Sequence, residues 1–332
     1  MELSIVIPVY NVEKYIRKCL LSVVNQTLQE IEIVIVNDGT KDKSIDIIQD
    51  IIDSDNRIKL INKANGGLMS AWIEGVKNTS GKYIGFVDSD DWVDNDFFEY
   101  LLNKIKETDS DIIVGKYVAD DGLTQKELYR SKDRTYDGDE IKQLLNDYFN
   151  SIIFEENIIS YCRWDKLYKR ELLLDNFKYL DTRISLGEDV NTNTAVIPDC
   201  KRITVLSKTP YYHYRTNQQS IVNTFNPKQI NNIAVLYNAL DTIMNAKHLD
   251  KESMYFFVAD MIFNQIKTIL DNKCDNRDEY CDLINSYENT SWLLEKYGEK
   301  KSVFYQLFIA LFRKRKYQLC TLFNTVYGLK RY

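Results

Sequence analysis

"GFVDSDDW", residues 85–92, closes an apolar run that begins at Tyr83 and stops at Asp88. Asp88, Asp90 and Asp91 then crowd three carboxylates into four positions, and a Trp follows. Like charges this close repel one another unless a cation or a special set of hydrogen bonds offsets them. Two readings are open: a solvated turn capping the next helix, or a metal site. Asp94, Asn95 and Asp96 already offer caps for a helix expected from about Phe97, so Asp88 and Asp90 are not needed for that task.

Outward from this stretch, the first third alternates two periodicities. Residues 3–9, 31–36, 57–62 and 82–87 are short apolar runs of strand type. Between them, Val12, Ile16, Cys19, Leu20 and Val23 recur at helical spacing, and residues 44–52 and 68–78 do the same. A fifth strand is expected at 111–117. Strands alternating with helices imply βαβ units and a mainly parallel sheet covered on both faces, an α/β, Rossmann-like class. Ligands of such sheets bind beyond the carboxyl ends of the strands. Asp38 and the Asp88–Asp91 cluster each follow a strand, so both belong to that edge. Neither GxGxxG nor GxxxxGK[ST] is present, which removes the usual dinucleotide and P-loop readings. From about Pro227 the pattern is helical to the end. The expected division is 1–225, an α/β domain, and 226–332, a helical region.

Composition narrows the chemistry. Of 332 residues only two are histidine, His213 and His248, 35 positions apart, which argues against a His-based zinc site or a Ser-His-Asp triad. Acid–base work falls to carboxylates, and any metal should be hard and oxygen-ligated. The six cysteines form no CxxC and read as reduced cytosolic thiols. The apolar N-terminus lacks a basic region and is too short to span a membrane. The net charge of −6 is unevenly spread: residues 300–332 hold eight basic side chains and no acid, leaving −14 on the rest.

Taken together, "SIVIPVYN" (4–11), "VNDGT" (36–40), "NGGLMSAWIEG" (65–75), "GFVDSDDW", "LGED" (186–189) and "YYHYR" (211–215) resemble the family 2 inverting glycosyltransferases of the GT-A fold, over about residues 3–225. The resemblance implies transfer of a sugar from a nucleotide donor, UDP-linked by expectation, to a hydroxyl of a glycan or lipid-linked glycan. Surface-polysaccharide or glycoconjugate synthesis is the implied setting. It implies Asp90 as the direct ligand of Mn²⁺ or Mg²⁺, with Asp88 near metal and ribose and Ser89 beside them. In an extended segment Asp88 and Asp90 would face one cation together.

By the same resemblance Asp38 contacts the donor base, where the alternative is an Asx-turn. Pro8, Tyr10 and Asn11 form the first nucleotide loop, and Asn65, Gly66 and Gly67 the pocket wall. Arg215 closes over the diphosphate. Asp189 is the general base, supported by Glu188, with helix capping as the alternative for the pair. Asp91, Trp164 and Lys166 are candidates for acceptor contact, with packing the alternative for Trp164 and Lys166. One departure stands out: the family pattern Ala-Arg-Asn is here Ala71-Trp72-Ile73.

The tail joins "SVFYQLFIALF" (302–312) to "RKRK". It is too short to span a bilayer and fits a helix lying on an anionic membrane surface; docking on the body or a dimer contact is the alternative. The expected location is the cytoplasm, peripheral at the inner face of the cell membrane. Nucleic acid is not an expected partner. A non-catalytic sugar-nucleotide-binding protein of the same fold is the rival reading.

Overall fold

The structure is a computed structural model and describes residues 1–121, 124–127, 132–154, 159–216, 228–271, 276–287, 289–299, 301 and 303–327. The chain opens with β1 (Leu3–Val9), α1 (Ile16–Val24), β2 (Ile31–Asn37), α2 (Ser44–Ser54), β3 (Ile58–Asn62), α3 (Leu68–Lys77) and β4 (Tyr83–Phe86). It continues through β5 (Trp92–Val93), α4 (Phe97–Thr108), β6 (Ile112–Val114), β7 (Lys116–Asp120), β8 (Gln125–Glu127), β9 (Arg134–Asp137) and α5 (Asp139–Phe154). Next come β10 (Lys166–Lys169), α6 (Arg170–Asn176), α7 (Glu188–Val196), β11 (Arg202–Val205) and β12 (Tyr211–Arg215). Six helices complete it: α8 (Lys228–Ala246), α9 (Glu252–Asp271), α10 (Arg277–Ser286), α11 (Thr290–Glu299), α12 (Val303–Arg313) and α13 (Tyr317–Tyr327).

An eight-stranded sheet runs in the order β3-β2-β1-β4-β10-β6-β11-β9. The first four strands are mutually parallel. Their register pairs Val9 with Asn37 and Asn37 with Asn62, so the loops after β1, β2 and β3 leave at one edge. Val6 pairs with Phe86, which brings the acidic loop after β4 to the same edge. All seven β1 residues are buried, as a central strand covered on both faces requires. Gly75 lets α3 approach this strand: a Cβ there would lie 2.3 Å from Val6 Cγ1.

β10 was not legible in advance, and its position matters. It runs antiparallel between β4 and β6, pairing Leu167 with Gly85 and Lys169 with Tyr83. The chain just upstream of Lys166 therefore emerges at the carboxyl edge of β4. The single strand expected at 111–117 is two strands, β6 and β7, which separate at Gly115 into different sheets. β7 joins a four-stranded sheet ordered β5-β12-β7-β8.

By its contacts the chain forms two compact units, Met1–Leu145 with Asn157–Asn217, and Asn146–Glu156 with Gln218–Tyr332. The second is helical, with Leu236, Leu240, Val258, Phe263, Leu294, Phe308 and Phe312 in its core. Among the described residues no helix is long and apolar enough to cross a membrane.

Candidate active site

The acidic loop after β4 is a tight turn, closed by the Asp91 N–H donating to the Asp88 carbonyl at 3.0 Å. It is not the extended segment expected. The alternation survives nonetheless: Ser89 and Asp91 are buried, while Asp88 and Asp90 are part-exposed. Among the described residues no other side chain donates a hydrogen bond to the Asp88 or Asp90 carboxylate. Burial, then Asp189 and Asp90, push the Asp88 carboxyl up to about 8. Burial also raises Asp90, against the pull of its own backbone N–H and of Arg215.

Asp91 is a different case. It is 1% exposed, and its carboxylate accepts from the Tyr212 hydroxyl at 2.8 Å and the Arg215 N–H at 2.7 Å. The expected acceptor contact is therefore corrected: Asp91 ties the acidic loop to β12. Tyr212 also accepts from the Asp88 N–H. Arg215 donates from Nε to the Asp90 carbonyl at 2.7 Å, with its guanidinium 4.7 Å from the ring centres of both Tyr15 and Trp92. It thus reaches the backbone of the acidic loop, held between two aromatic faces. His213 is a packing residue that bridges Asp94 and Asp120.

Trp164 and Lys166 are likewise corrected. Trp164 is 4% exposed and stacks on Tyr212 at 4.2 Å and Tyr214 at 5.7 Å. Lys166 is fully buried, and its ammonium donates to Asp165, the Ser160 hydroxyl and the carbonyls of Ser160 and Cys162. A buried ammonium must be satisfied this way, which leaves it nothing to offer an acceptor sugar.

On the nucleotide side, Asp38 is 3% exposed. It accepts from Lys63 Nζ at 2.5 Å, Asn65 Nδ2 at 3.1 Å and the Gly66 and Gly67 N–H groups at 2.9 Å. The carboxylate therefore folds the 65–67 loop onto β2, and a base contact would have to share an oxygen with these donors. Gly39 and Gly67, at φ 68° and 84°, supply the left-handed turns that this folding needs. Asn11, itself at φ 54°, donates its N–H to Thr40 and clips the first loop to the second. Tyr10 stands 42% exposed at the strand end. Pro8 lies buried within β1, so its part is to shape the strand rather than to touch a nucleotide.

Gly187, at φ 88°, occupies the N-cap of α7, and Glu188 and Asp189 form its first turn. Neither occupies the capping position. Asp189 meets Arg163, whose Nε lies 2.7 Å from Oδ1. Burial pushes the Asp189 carboxyl up; Arg163 pulls it down, Glu188 raises it, and it stands at about 6. Arg163 is 3% exposed, with its guanidinium 5.1 Å from the Trp72 ring centre. Asp88, Glu188 and Asp189 all act on this guanidinium. Sequence reasoning missed Arg163. The one signal that could have found it is the departure at Trp72, whose aromatic face carries the cation.

The donor set can be tested against a divalent cation. Among the described residues no three His, Cys, Asp or Glu side chains group to hold a metal. Two part-exposed carboxylates to which no described side chain donates, Asp88 and Asp90, fit Mg²⁺ or Mn²⁺, which take one or two carboxylates and fill the remaining positions with phosphate and water.

Comparison with known proteins places the molecule. The family profile "Glycosyl transferase family 2" matches residues 4–177, and the chain belongs to that family. It is 37% identical to glycosyltransferase GlyA of Streptococcus pneumoniae serotype 4 over 233 residues, 68% of this chain and 32% of that protein. It is 33% identical to the uncharacterized glycosyltransferase EpsJ of Bacillus subtilis over 277 residues, 82% and 78% of the two. The chain thus spans about a third of the pneumococcal relative. Among solved structures, S. aureus TarS 1-349 in complex with UDP-GlcNAc matches with a TM-score of 0.72 at 19% identity, covering 100% of this chain and 93% of that one. That likeness establishes the fold, which is the GT-A fold expected from the sequence.

Proposed function

We propose that this protein is a metal-dependent inverting glycosyltransferase that moves a sugar from a UDP-linked donor to a hydroxyl of a glycan or lipid-linked glycan. One observation carries the reading. The carboxylate loop after β4 and the Glu188–Asp189 turn, about 100 positions apart in sequence, share one electrostatic site, where Asp189 raises the Asp88 carboxyl. A second carboxylate pair there is what proton removal from an acceptor hydroxyl calls for. UDP is favoured because the fold neighbour TarS holds UDP and UDP-GlcNAc. A polymer acceptor is favoured because a relative 30% identical over 218 residues is a poly(ribitol-phosphate) beta-glucosyltransferase.

In this reading Asp88 and Asp90 hold Mn²⁺ or Mg²⁺, which supplies Lewis-acid stabilisation of the departing diphosphate. Asp189 takes the proton from the acceptor hydroxyl as that oxygen attacks the anomeric carbon opposite the leaving group, so the configuration inverts. Glu188 keeps the base from ionising too readily. Tyr10 stacks on the base, the loop held by Asp38 forms the pocket wall, and Arg215 fixes the Asp90 backbone beside the diphosphate.

The finer location is a membrane surface on the cytoplasmic side. In α12, Tyr305, Phe308, Ile309 and Phe312 are buried, while Val303, Phe304 and Leu307 are exposed at 75%, 49% and 48%. Leu319 and Leu322 of α13 are exposed at 49% and 61%. The helix therefore docks by one face and leaves Val303 and Leu307 exposed on another, beside the basic turn at 313–316. Residues 300, 302 and 328–332, which carry part of the expected tail, lie outside the described residues. An anionic bilayer fits both features, each Lys or Arg near it contributing about 1 kcal/mol.

The test is incubation with a panel of UDP-, GDP- and dTDP-sugars with Mn²⁺ and with chelator, following donor hydrolysis and transfer and reading the product anomer by NMR. Metal-dependent turnover of a UDP-sugar with inverted product is expected. Binding of donors without turnover of any would support the non-catalytic reading.

A further inference from the structure

The base needs an orientation as well as a charge, and what sets it lies outside every motif that the sequence reading used. Asp189 Oδ1 is buried and faces Arg163 Nε at 2.7 Å, an ion pair whose N–H is not aimed for a hydrogen bond. Oδ2 has no partner among the described residues, and the side chain is 19% exposed. Arg163 Nη1 is buried without an acceptor. The guanidinium rests on the Trp72 indole, itself 1% exposed and packed on Phe86 and Phe177. The fold brings the three together: Trp72 from α3 meets Arg163, and Arg163, from the segment that β10 brings to the sheet edge, meets Asp189.

We propose that Arg163, seated on Trp72, is the positioning residue of the Asp189 carboxylate, engaging Oδ1 so that Oδ2 is presented to the acceptor hydroxyl. The inference rests on Asp189 being the base. An ion pair buried on one side and open on the other fixes which oxygen is free. The Trp72 face suits the task because it attracts the cation without competing for its charge as a carboxylate would. Arg163 meets the carboxylate through Nε alone, a charge contact set by the planar guanidinium that a Lys ammonium reproduces only in part.

The test is a double-mutant cycle on the full chain, with hydrolysis of UDP-GlcNAc and UDP-glucose in Mn²⁺ as the probe reaction and thermal melting as the fold control. Arg163→Met should lower kcat about 10²-fold, the usual cost of a misplaced group, with donor KM nearly unchanged. Arg163→Lys should recover part of the loss. In the Asp189→Asn background Arg163→Met should cost nothing further, because groups acting as a unit are non-additive. An equal loss in both backgrounds overturns the proposal, since a merely structural Arg163 would act on either alike. A raised donor KM with kcat intact also overturns it and assigns Arg163 to the donor. Should Arg163→Met fail to fold, Arg163→Lys carries the same cycle. A wild type inactive on both sugars and on the wider donor panel withdraws the proposed function together with this inference; an active wild type with an additive cycle withdraws the inference alone.

Discussion

In the proposed mechanism Asp189 accepts a proton near neutral pH from within a cleft that discourages charge. Desolvation raises it, the Arg163 cation lowers it, Glu188 raises it again, and the balance near 6 suits a base at pH 7. Turnover is therefore expected to be full above about pH 7 and to fall as pH drops through 6, where Asp189 takes up its proton. Asp189→Asn should lower kcat by about 10²–10⁴ and leave donor affinity nearly unchanged; near-normal turnover in that variant would remove Asp189 from the mechanism. Asp88 gives a prediction of opposite character. Its folded-state value of about 8 lies above the ordinary ~3.9, so the native state holds a proton that the unfolded chain releases. Its contribution to stability is full below about pH 4 and is lost as pH rises through 8. In chelator, Asp88→Asn should melt a few degrees above wild type at pH 8, with the advantage vanishing near pH 4; equal melting at pH 8 would show that the carboxylates do not strain the fold. Asp88 and Asp90 stood out in sequence because like charge beside an apolar run is a local signal, whereas Glu188 and Asp189 were singled out through the family resemblance of the LGED stretch. The roles of Arg163, Asp91, Trp164 and Lys166 were not legible, because they come from partners 26 to 124 positions away or from burial, which no local pattern records.

At the scale of the element, the β-branched runs declared β1 to β4 and the helical spacing declared α1 to α3, since each periodicity follows directly from backbone geometry. β5, β9, β10 and β12 were hidden: they are two to five residues long, rich in Tyr, Lys, Arg and Trp, and exist because long-range pairing stabilises them. The contact of α3 with β1 is testable at Gly75. Gly75→Ala places a Cβ 2.3 Å from Val6 Cγ1 and 3.2 Å from Val36 Cγ2, both on fully buried strand residues that cannot swing away. The expected loss is about 1–3 kcal/mol by urea unfolding of the α/β unit, partly restored by Val6→Ala. No loss would mean that the helix moves freely over the sheet. Such movement would also shift Trp72, the seat of Arg163, so the substitution should lower turnover as well.

For the whole molecule, the sequence announced an α/β part followed by a helical part, and it announced a charge imbalance. It did not reveal that residues 146–156 group with the helices, because a helical stretch within the α/β part carries no mark of which core it joins. Nor did it separate the two faces of α12: apolar residues buried in a core and apolar residues left exposed look alike in sequence. Leu307→Glu and Leu322→Glu, both on exposed positions, should abolish co-sedimentation with anionic vesicles at low salt while leaving melting and donor hydrolysis unchanged. Retained binding would remove this face as the contact, and a change of oligomeric state instead would make it a surface between copies. The central claim, however, concerns the carboxylate pair at the end of β4. It is tested most directly by calorimetric titration of UDP into wild type and Asp90→Ala, each with Mn²⁺ and with chelator. The account predicts binding by wild type in Mn²⁺ alone, with little in chelator and little by Asp90→Ala under either condition. Equal binding by both proteins, with and without metal, would contradict it.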